Sequence, residues 1–277
     1  MNNLLTLAIK AAIKAGEIIE DIYIHDDFEL EIKQDNSPLT KADKAANTII
    51  NTFLKTTPIP IISEENKQIE YEERKHWEKC WIVDPLDGTK EFIKKNDEFT
   101  VNIALIENGK PLFGVIFSPI SKELYYGNVT EKKAYKIILN SYATDNINWF
   151  DDNFRIRPKK REDSTIKIVG SRSHMNDTTK LFMEKLRVQY PSLEIIPKGS
   201  SLKFCLIAEG KADIYPRFAP TMEWDTAAGQ AICEAASIRV IAKDSYQDLP
   251  YNKPNLLNGD FIVLNNDIIF DKTWITI

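Results

Sequence analysis

Apolar residues near the start of the chain recur at helical spacing. Leu4, Leu7, Ala8, Ala11, Ala12, Ala15, Ile18, Ile19 and Ile22 fall on one face, which predicts a helix over 3–24. A second amphipathic helix is predicted over 41–54, with "TKAD" (40–43) as a capping box at its start. "DNSPLT" (35–40) between them is loop chemistry. "IPIIS" (59–63) reads as a short buried strand running into Glu64 and Glu65. Residues 66–79 are dense in charge and fit an exposed helix or a loop. "WIV" (81–83) is a buried strand, and "FTVNIALIENGKPLFGVIFSPI" (99–120) is two strands turning at Asn108-Gly109. "KELYYGNV" (122–129) and "KAYKIIL" (133–139) extend that sheet.

The polar stretch 140–163 holds the basic run "RIRPKKR" (155–161) and reads as the crossing between two halves, 1–150 and 151–277. After it the pattern alternates: strand 166–170, helix 176–188, strand 193–196, helix 200–209, strand 212–216, helix 225–236, then strands 238–242 and 261–264. Strands alternating with helices predict a layered α/β fold.

A chain of 277 residues is long enough for one large domain or two packed ones. Its 43% hydrophobic and 28% charged content is that of a soluble globular protein. A net charge of −5 argues against general nucleic-acid binding, which needs a basic surface. A small anionic substrate is compatible with that charge if metal ions or a local basic pocket receive it. Three scattered cysteines (Cys80, Cys205, Cys233) without a CxxC fit a reducing compartment. Lys10, Lys14 and Glu17 interrupt the first apolar run, so it reads neither as a signal peptide nor as a membrane span. The expected location is cytoplasmic. The run 155–161 reads as an exposed connector, with contact to an anionic membrane surface or a nucleic acid as the sharper alternative.

The candidate chemistry lies in acids that follow apolar segments: Glu64 and Glu65 after "PIIS", Asp84 and Asp87 after "WIV", Asp225 after "MEW". Carboxylates gathered at the ends of strands repel one another unless protonated or bound to cations. Hard oxygen donors suit Mg²⁺; zinc is disfavoured by three scattered histidines (His25, His76, His174) and no HExxH. In "DPLDGT", Pro85 disfavours helix at Asp84, and Gly88 lets a ligand approach the backbone. Thr89 could then open a helix whose N-terminus receives an anion. A lone DxxD is most often a turn former; the recurrence of acids after strands is what favours a site. Each other candidate has a plainer reading: Asp43 as the capping-box acid, Ser200 as an N-cap, Lys203 as a solvated helix face, Arg217 as half of a local ion pair. Phe92, Phe99, Phe113 and Phe117 read as core. The absence of GxxxxGK[ST] and GxGxxG disfavours a kinase or NTPase.

"SEE" (63–65), "WIVDPLDGTKEF" (81–92) and "EWDTAAG" (223–229) resemble, in order and separation, the inositol monophosphatase superfamily of metal-dependent, lithium-sensitive phosphatases. "DNSPLTKAD", "EFTVNIALIENGKP", "SRSH" (171–174) and "GSSLKFCLIAEGKADIYPRF" (199–218) are similar to its bacterial 3'(2'),5'-bisphosphate nucleotidase branch. The resemblance spans nearly the whole chain. It implies alternating α-β-α-β-α layers, with most metal ligands in the N-terminal half and Asp225 with the nucleotide contacts in the C-terminal half. It implies two or three Mg²⁺ ions held by Glu64, Asp84, the Leu86 carbonyl, Asp87 and Asp225. It makes Asp43 and Thr89 the pair that activates water, with Glu65 beside them in the catalytic set. Substrate contacts would come from Gly88, Ser171, His174, Ser200, Lys203 and Arg217, together with Glu64, Leu86, Asp87, Thr89 and Asp225. The implied reaction takes adenosine 3',5'-bisphosphate to AMP and phosphate, with phosphoadenylyl sulfate as a related substrate, in sulfate assimilation. The rivals are an inositol or sugar phosphomonoesterase and a catalytically silent metal- or nucleotide-binding regulator. Monomer and homodimer both stay open, as does peripheral association with the inner membrane.

Overall fold

The computed structural model describes residues 2–25, 30–32, 38–158, 164–170 and 176–275. Helix α1 (Asn2–His25) precedes two short antiparallel strands, β1 (Leu30–Ile32) and β2 (Pro38–Thr40), and then helix α2 (Lys41–Leu54). A six-stranded sheet follows in chain order: β3 (Ile61–Ser63), β4 (Lys79–Asp87), β5 (Thr100–Glu107), β6 (Lys110–Ser118), β7 (Glu123–Asn128) and β8 (Lys133–Ile138). Short helices α3 (Tyr71–Arg74) and α4 (Thr89–Ile93) flank β4. The remainder runs β9 (Ile166–Gly170), α5 (Asp177–Gln189), β10 (Leu193–Pro197), α6 (Leu202–Ala208), β11 (Ile214–Arg217), β12 (Thr221–Met222), α7 (Glu223–Ala235), β13 (Arg239–Ala242), β14 (Leu257–Asn258) and β15 (Phe261–Leu264). Five of these strands form a second sheet in the order β10-β9-β11-β15-β13.

Side-chain alternation along the strands builds the layers. On β4, Trp81 and Val83 face α1 and α2, while Cys80 and Ile82 face α6 and α7. Ile168, Ile214 and Ile262 turn to the far side of the second sheet and pack on Phe182, Met183 and Leu186 of α5. Three apolar cores, the middle one covering both sides of the α6–α7 layer, therefore fill the four interfaces of five layers, α-β-α-β-α, as expected. Because β4 and β5 are covered on both faces, they read as continuous apolar runs rather than as half-polar strands. Helix α7 lies so close to the first sheet that a Cβ on Gly114 would come within 2.5 Å of the Ala228 carbonyl oxygen. The small residues Ala227, Ala228 and Ala231 permit that approach and carry the first turn of α7 to the end of β4.

The structure departs from the sequence expectations at four places. Residues 38–40 of the expected loop form β2. The charged segment 66–79 holds one helical turn, and its Arg74 is buried: it donates to the Ile69, Lys253 and Pro254 carbonyls and to Asn252. Helix α7 begins at Glu223, so Asp225 sits inside its first turn rather than at its cap. The strand beginning near Trp81 does not end at Val83 but continues to Asp87. Among the described residues no helix is long and apolar enough to cross a membrane.

Candidate active site

A bulge in β4 builds the centre of the site. Asp84 lies opposite Asn102 and Asp87 opposite Thr100, so three steps on β4 match two on β5. In a regular strand, residues three apart point to opposite faces; the extra residue brings both carboxylates to one side. Pro85 suits this position because it has no N–H to give to the ladder. The expected turn is thus a bulge within the strand, braced by the Leu86 amide donating to Asp84 Oδ1 at 3.0 Å.

Strand β3 runs parallel to β4 with Ser63 beside Val83, and the Glu64 amide donates to the Val83 carbonyl at 3.1 Å. That sets Glu64 next to Asp84. Glu65 follows it in the same turn, half-buried. Asp225 arrives from α7, where one carboxylate oxygen accepts the Met222 amide at 2.8 Å. Asp84, Asp87 and Asp225 each offer an oxygen within 4.8 Å of the others.

So many acids in a buried place hold one another's protons. Asp84 is 1% exposed. Burial, then the charges of Glu64, Asp87, Asp225 and Asp43, push its carboxyl well above the usual range. Burial and the charge of Asp87 push Asp225 up to about 8, against the Met222 amide and Arg217, which pull it down. An all-oxygen donor set whose ionisation is opposed by burial and by its own negative charge fits a hard divalent cation, which would offset both.

The fit has a pH consequence. Asp225 binds its proton more tightly in the folded than in the unfolded chain, so the metal-free fold loses stability as pH rises from about 4 to about 8. Thermal unfolding of metal-free protein should show Tm falling across that window. Mg²⁺ should raise Tm more at pH 8 than at pH 5, because ions displace protons at low pH. An Mg²⁺ effect equal at both pH values would mean that these carboxyls are not its ligands.

Asp43 and Thr89 meet beside this cluster. Gly88 takes a left-handed conformation, φ 96°, that starts α4 at Thr89. The Thr89 hydroxyl donates to Asp43 Oδ1 at 3.2 Å, with the Leu86 carbonyl at 3.3 Å as a second acceptor. The other Asp43 oxygen accepts both the Thr40 amide (2.7 Å) and the Thr40 hydroxyl (2.5 Å). The capping reading of Asp43 and its pairing with Thr89 therefore coexist, one on each oxygen.

Next to the acids opens a cleft of about 570 Å³, partly continuous with solvent, walled by Asp87, Gly88, Ser200, Lys203, Arg217 and Asp225. Lys203 does not lie on a solvated face: it is 6% exposed, and its ammonium donates to the Ser200 carbonyl at 2.5 Å. Burial pulls its pKa down to about 8, while Asp87, Glu91 and Asp225 oppose that pull. Arg217 donates to the Pro220 carbonyl at 3.1 Å, not to a neighbouring acid. Ser200 is not the N-cap of α6; Ser201 is, and Ser200 stands before it with φ 54°. Ser171 and His174 lie outside the described residues.

One residue of the cleft wall and one buried behind it escaped the sequence reading. Glu91, one turn into α4, faces Lys203 across the cleft. Glu223 is fully buried and accepts the Asn252 amide (2.6 Å), the Lys253 amide (3.0 Å) and the Lys253 ammonium (2.6 Å). It anchors the turn of α7 that carries Asp225. No local signal marks Glu223, because its partners Asn252 and Lys253 lie 29 and 30 residues further on.

The model of the inositol monophosphatase family matches residues 1–267. The 3'(2'),5'-bisphosphate nucleotidase CysQ of Salmonella typhimurium is 46% identical over 229 residues, 82% of this chain and 85% of that protein. Its counterpart in Haemophilus influenzae is 32% identical over 273 residues, 97% of this chain and 95% of that one. The crystal structure of CysQ from Bacteroides thetaiotaomicron, a bacterial member of the inositol monophosphatase family, superposes with a TM-score of 0.82 at 46% identity. That match covers 95% of this chain and 97% of the other. With its layers, its bulged acidic strand and a family match over nearly its whole length, the chain belongs to the inositol monophosphatase family.

Proposed function

We propose that this chain is a Mg²⁺-dependent 3'(2'),5'-bisphosphate nucleotidase that removes the 3'-phosphate of adenosine 3',5'-bisphosphate. One observation carries the choice of substrate: two cations, Lys203 and Arg217, stand in the same cleft as the acids Asp87 and Asp225. An inositol phosphate has one phosphoryl group and no use for a second cationic seat. A nucleotide bisphosphate has a 5'-phosphate that needs one. The names of the curated relatives support the same reading, and it extends to phosphoadenylyl sulfate, to sulfate assimilation and to inhibition by Li⁺.

Glu64, Asp84, the Leu86 carbonyl, Asp87 and Asp225 would hold two or three Mg²⁺ ions. These would supply positive charge against the phosphoryl oxygens and the departing ribose oxygen. The protein's own residues do the rest. Thr89 commits its proton to Asp43, which leaves its oxygen lone pairs free to accept a proton from a water aimed at phosphorus. As that water adds, the bond from phosphorus to the ribose 3'-oxygen breaks; the Thr89–Asp43 pair keeps the water's proton and the 3'-oxygen takes one from solvent in the open cleft, giving the 3'-hydroxyl and phosphate. Gly88, at the start of α4, lets the substrate lie against the backbone, and Glu65 stays beside Glu64. Ser171 and His174 are further proposed substrate contacts.

Phosphate release from adenosine 3',5'-bisphosphate, 3'-AMP and inositol 1-phosphate, with and without Mg²⁺, tests the proposal. The bisphosphate should be turned over fastest and only with the metal. Lys203→Ala should lower kcat/KM for the bisphosphate by about 10–100-fold, as expected for a charge-assisted bond in a partly closed site, and leave 3'-AMP nearly unaffected. The advantage of the bisphosphate should also decline as pH rises past about 8, where Lys203 loses its proton. Faster turnover of inositol 1-phosphate would overturn the assignment.

A further inference from the structure

Asp87 is held by a closed set of hydroxyl and amide groups that belong to both halves of the chain. One of its oxygens, Oδ2, accepts three donors: the Ser200 hydroxyl (2.8 Å), the Ser201 amide (2.5 Å) and the Asn102 side-chain amide (3.4 Å). None of these bonds reaches the other oxygen, Oδ1. Thr100, Asn102 and Ser201 are nearly inaccessible to solvent, so every polar atom there must find its partner inside the protein.

The protons can be counted. Ser200 gives its hydroxyl proton to Asp87, and Ser201 gives its own to the Asn102 side-chain oxygen at 2.8 Å. Both serine oxygens are then acceptors. Thr100 faces them at 2.6 and 2.8 Å, with the Asn102 side-chain oxygen at 3.1 Å, and has one proton to share among these acceptors. The result is a connected network of Thr100, both serines and Asn102 that ends on a single oxygen of Asp87. The segment before α6 is also tied to the first sheet by the Gly199 amide, which donates to Glu98 at 2.8 Å, and by Lys198, 3.5 Å from the same carboxylate.

We propose that Thr100, Asn102 and Ser201 are positioning residues that fix the rotamer of Asp87, so that docking of residues 198–201 onto β5 completes the cation site. The proposal rests on the reading of Asp87 as a cation ligand. With Oδ2 saturated by donors, Oδ1 is the oxygen left to a metal, and the carboxylate cannot swing to offer Oδ2 without breaking three bonds. It also gives Ser200 a task other than touching substrate: its hydroxyl proton is already committed to Asp87.

Mn²⁺ is the probe, titrated against the full chain and followed by its EPR signal, without substrate. Thr100→Val and Ser201→Ala should each weaken Mn²⁺ binding by about 10–100-fold, the usual cost of removing a group that orients a metal ligand. Thr100→Ser, which keeps the hydroxyl, should restore it. In phosphate-release assays the turnover lost by the two variants should return as Mg²⁺ is raised. A defect of substrate contact would not respond in that way, and unchanged thermal unfolding of the metal-free variants separates a defect of folding. Ser201→Ala keeps the backbone amide that bonds Asp87 and removes one buried atom, so it decides the question even if Thr100→Val unfolds. Unchanged Mn²⁺ affinity in Ser201→Ala and Thr100→Val overturns the inference while leaving the metal reading intact. Failure of the unmodified chain to bind Mn²⁺ overturns both.

Discussion

Asp84→Asn is expected to remove turnover, by about 10³-fold or more, while making the metal-free protein more stable. The two effects have one cause. Asp84 is the most buried of the clustered acids, and its ionisation is opposed by loss of water and by four neighbouring carboxylates. In metal-free protein near neutral pH, a neutral amide of the same shape relieves that repulsion. For chains near this size, each kcal/mol gained raises Tm by about 2–4 °C. With cations present the balance reverses, because the charge that was a burden is the charge that binds them. The variant should therefore also lose most of the Mg²⁺-dependent rise in Tm shown by the unmodified chain. A structural aspartate gives the opposite pair of results: lower stability without metal, and turnover recovered in proportion to the folded fraction. Finding that pair would remove Asp84 from the proposed site.

The layers were legible because the apolar pattern alone decides them. Trp81 and Val83 against Cys80 and Ile82 specify two covered faces, and two covered faces require helices on both. The acids were legible as a set, since a carboxylate after an apolar strand is conspicuous wherever it occurs. Their geometry was not. Two aspartates three positions apart, around a proline, fit a turn as well as a bulge; the register against Asn102 and Thr100 on β5 decides between them. Lys203 shows the same limit. Its spacing places it on a helix, but only the Ser200 carbonyl and the ring of Tyr215, 5.6 Å from its ammonium, show that this face is buried. Arg74 and Asn252, bonded at 2.8 Å, are separated by 178 residues, and no local pattern relates positions so far apart. The bond from the Ser201 amide to Asp87, 114 residues apart, is of that kind too.

The pair Asp43–Thr89 yields a prediction that separates chemistry from stability at a single residue. Thr89→Ala should lower kcat by about 10²–10⁴-fold, the range for a positioned proton acceptor, with little change in substrate affinity. Asp43→Ala should do the same and also destabilise the protein by about 0.5–2 kcal/mol, because it removes the acid of the α2 capping box, whose cap is Thr40. Asp43→Asn is the informative variant. The Thr40 amide and hydroxyl both donate to one oxygen of Asp43, so that position must remain an acceptor. The asparagine oxygen therefore faces Thr40, and its NH₂ group faces Thr89. Thr89 can no longer give its proton there; it must accept instead, which occupies the lone pair needed by the water and turns its proton toward the Leu86 carbonyl. Asp43→Asn should thus lose as much kcat as Thr89→Ala while keeping nearly all of the stability lost in Asp43→Ala. Because the two residues act as one unit, the double variant Asp43→Asn/Thr89→Ala should be no slower than either single one. If the two losses instead multiply, the two residues act separately and not as a pair; if Asp43→Asn unfolds as readily as Asp43→Ala at unchanged kcat, Asp43 serves the capping box alone and the water is oriented by other groups.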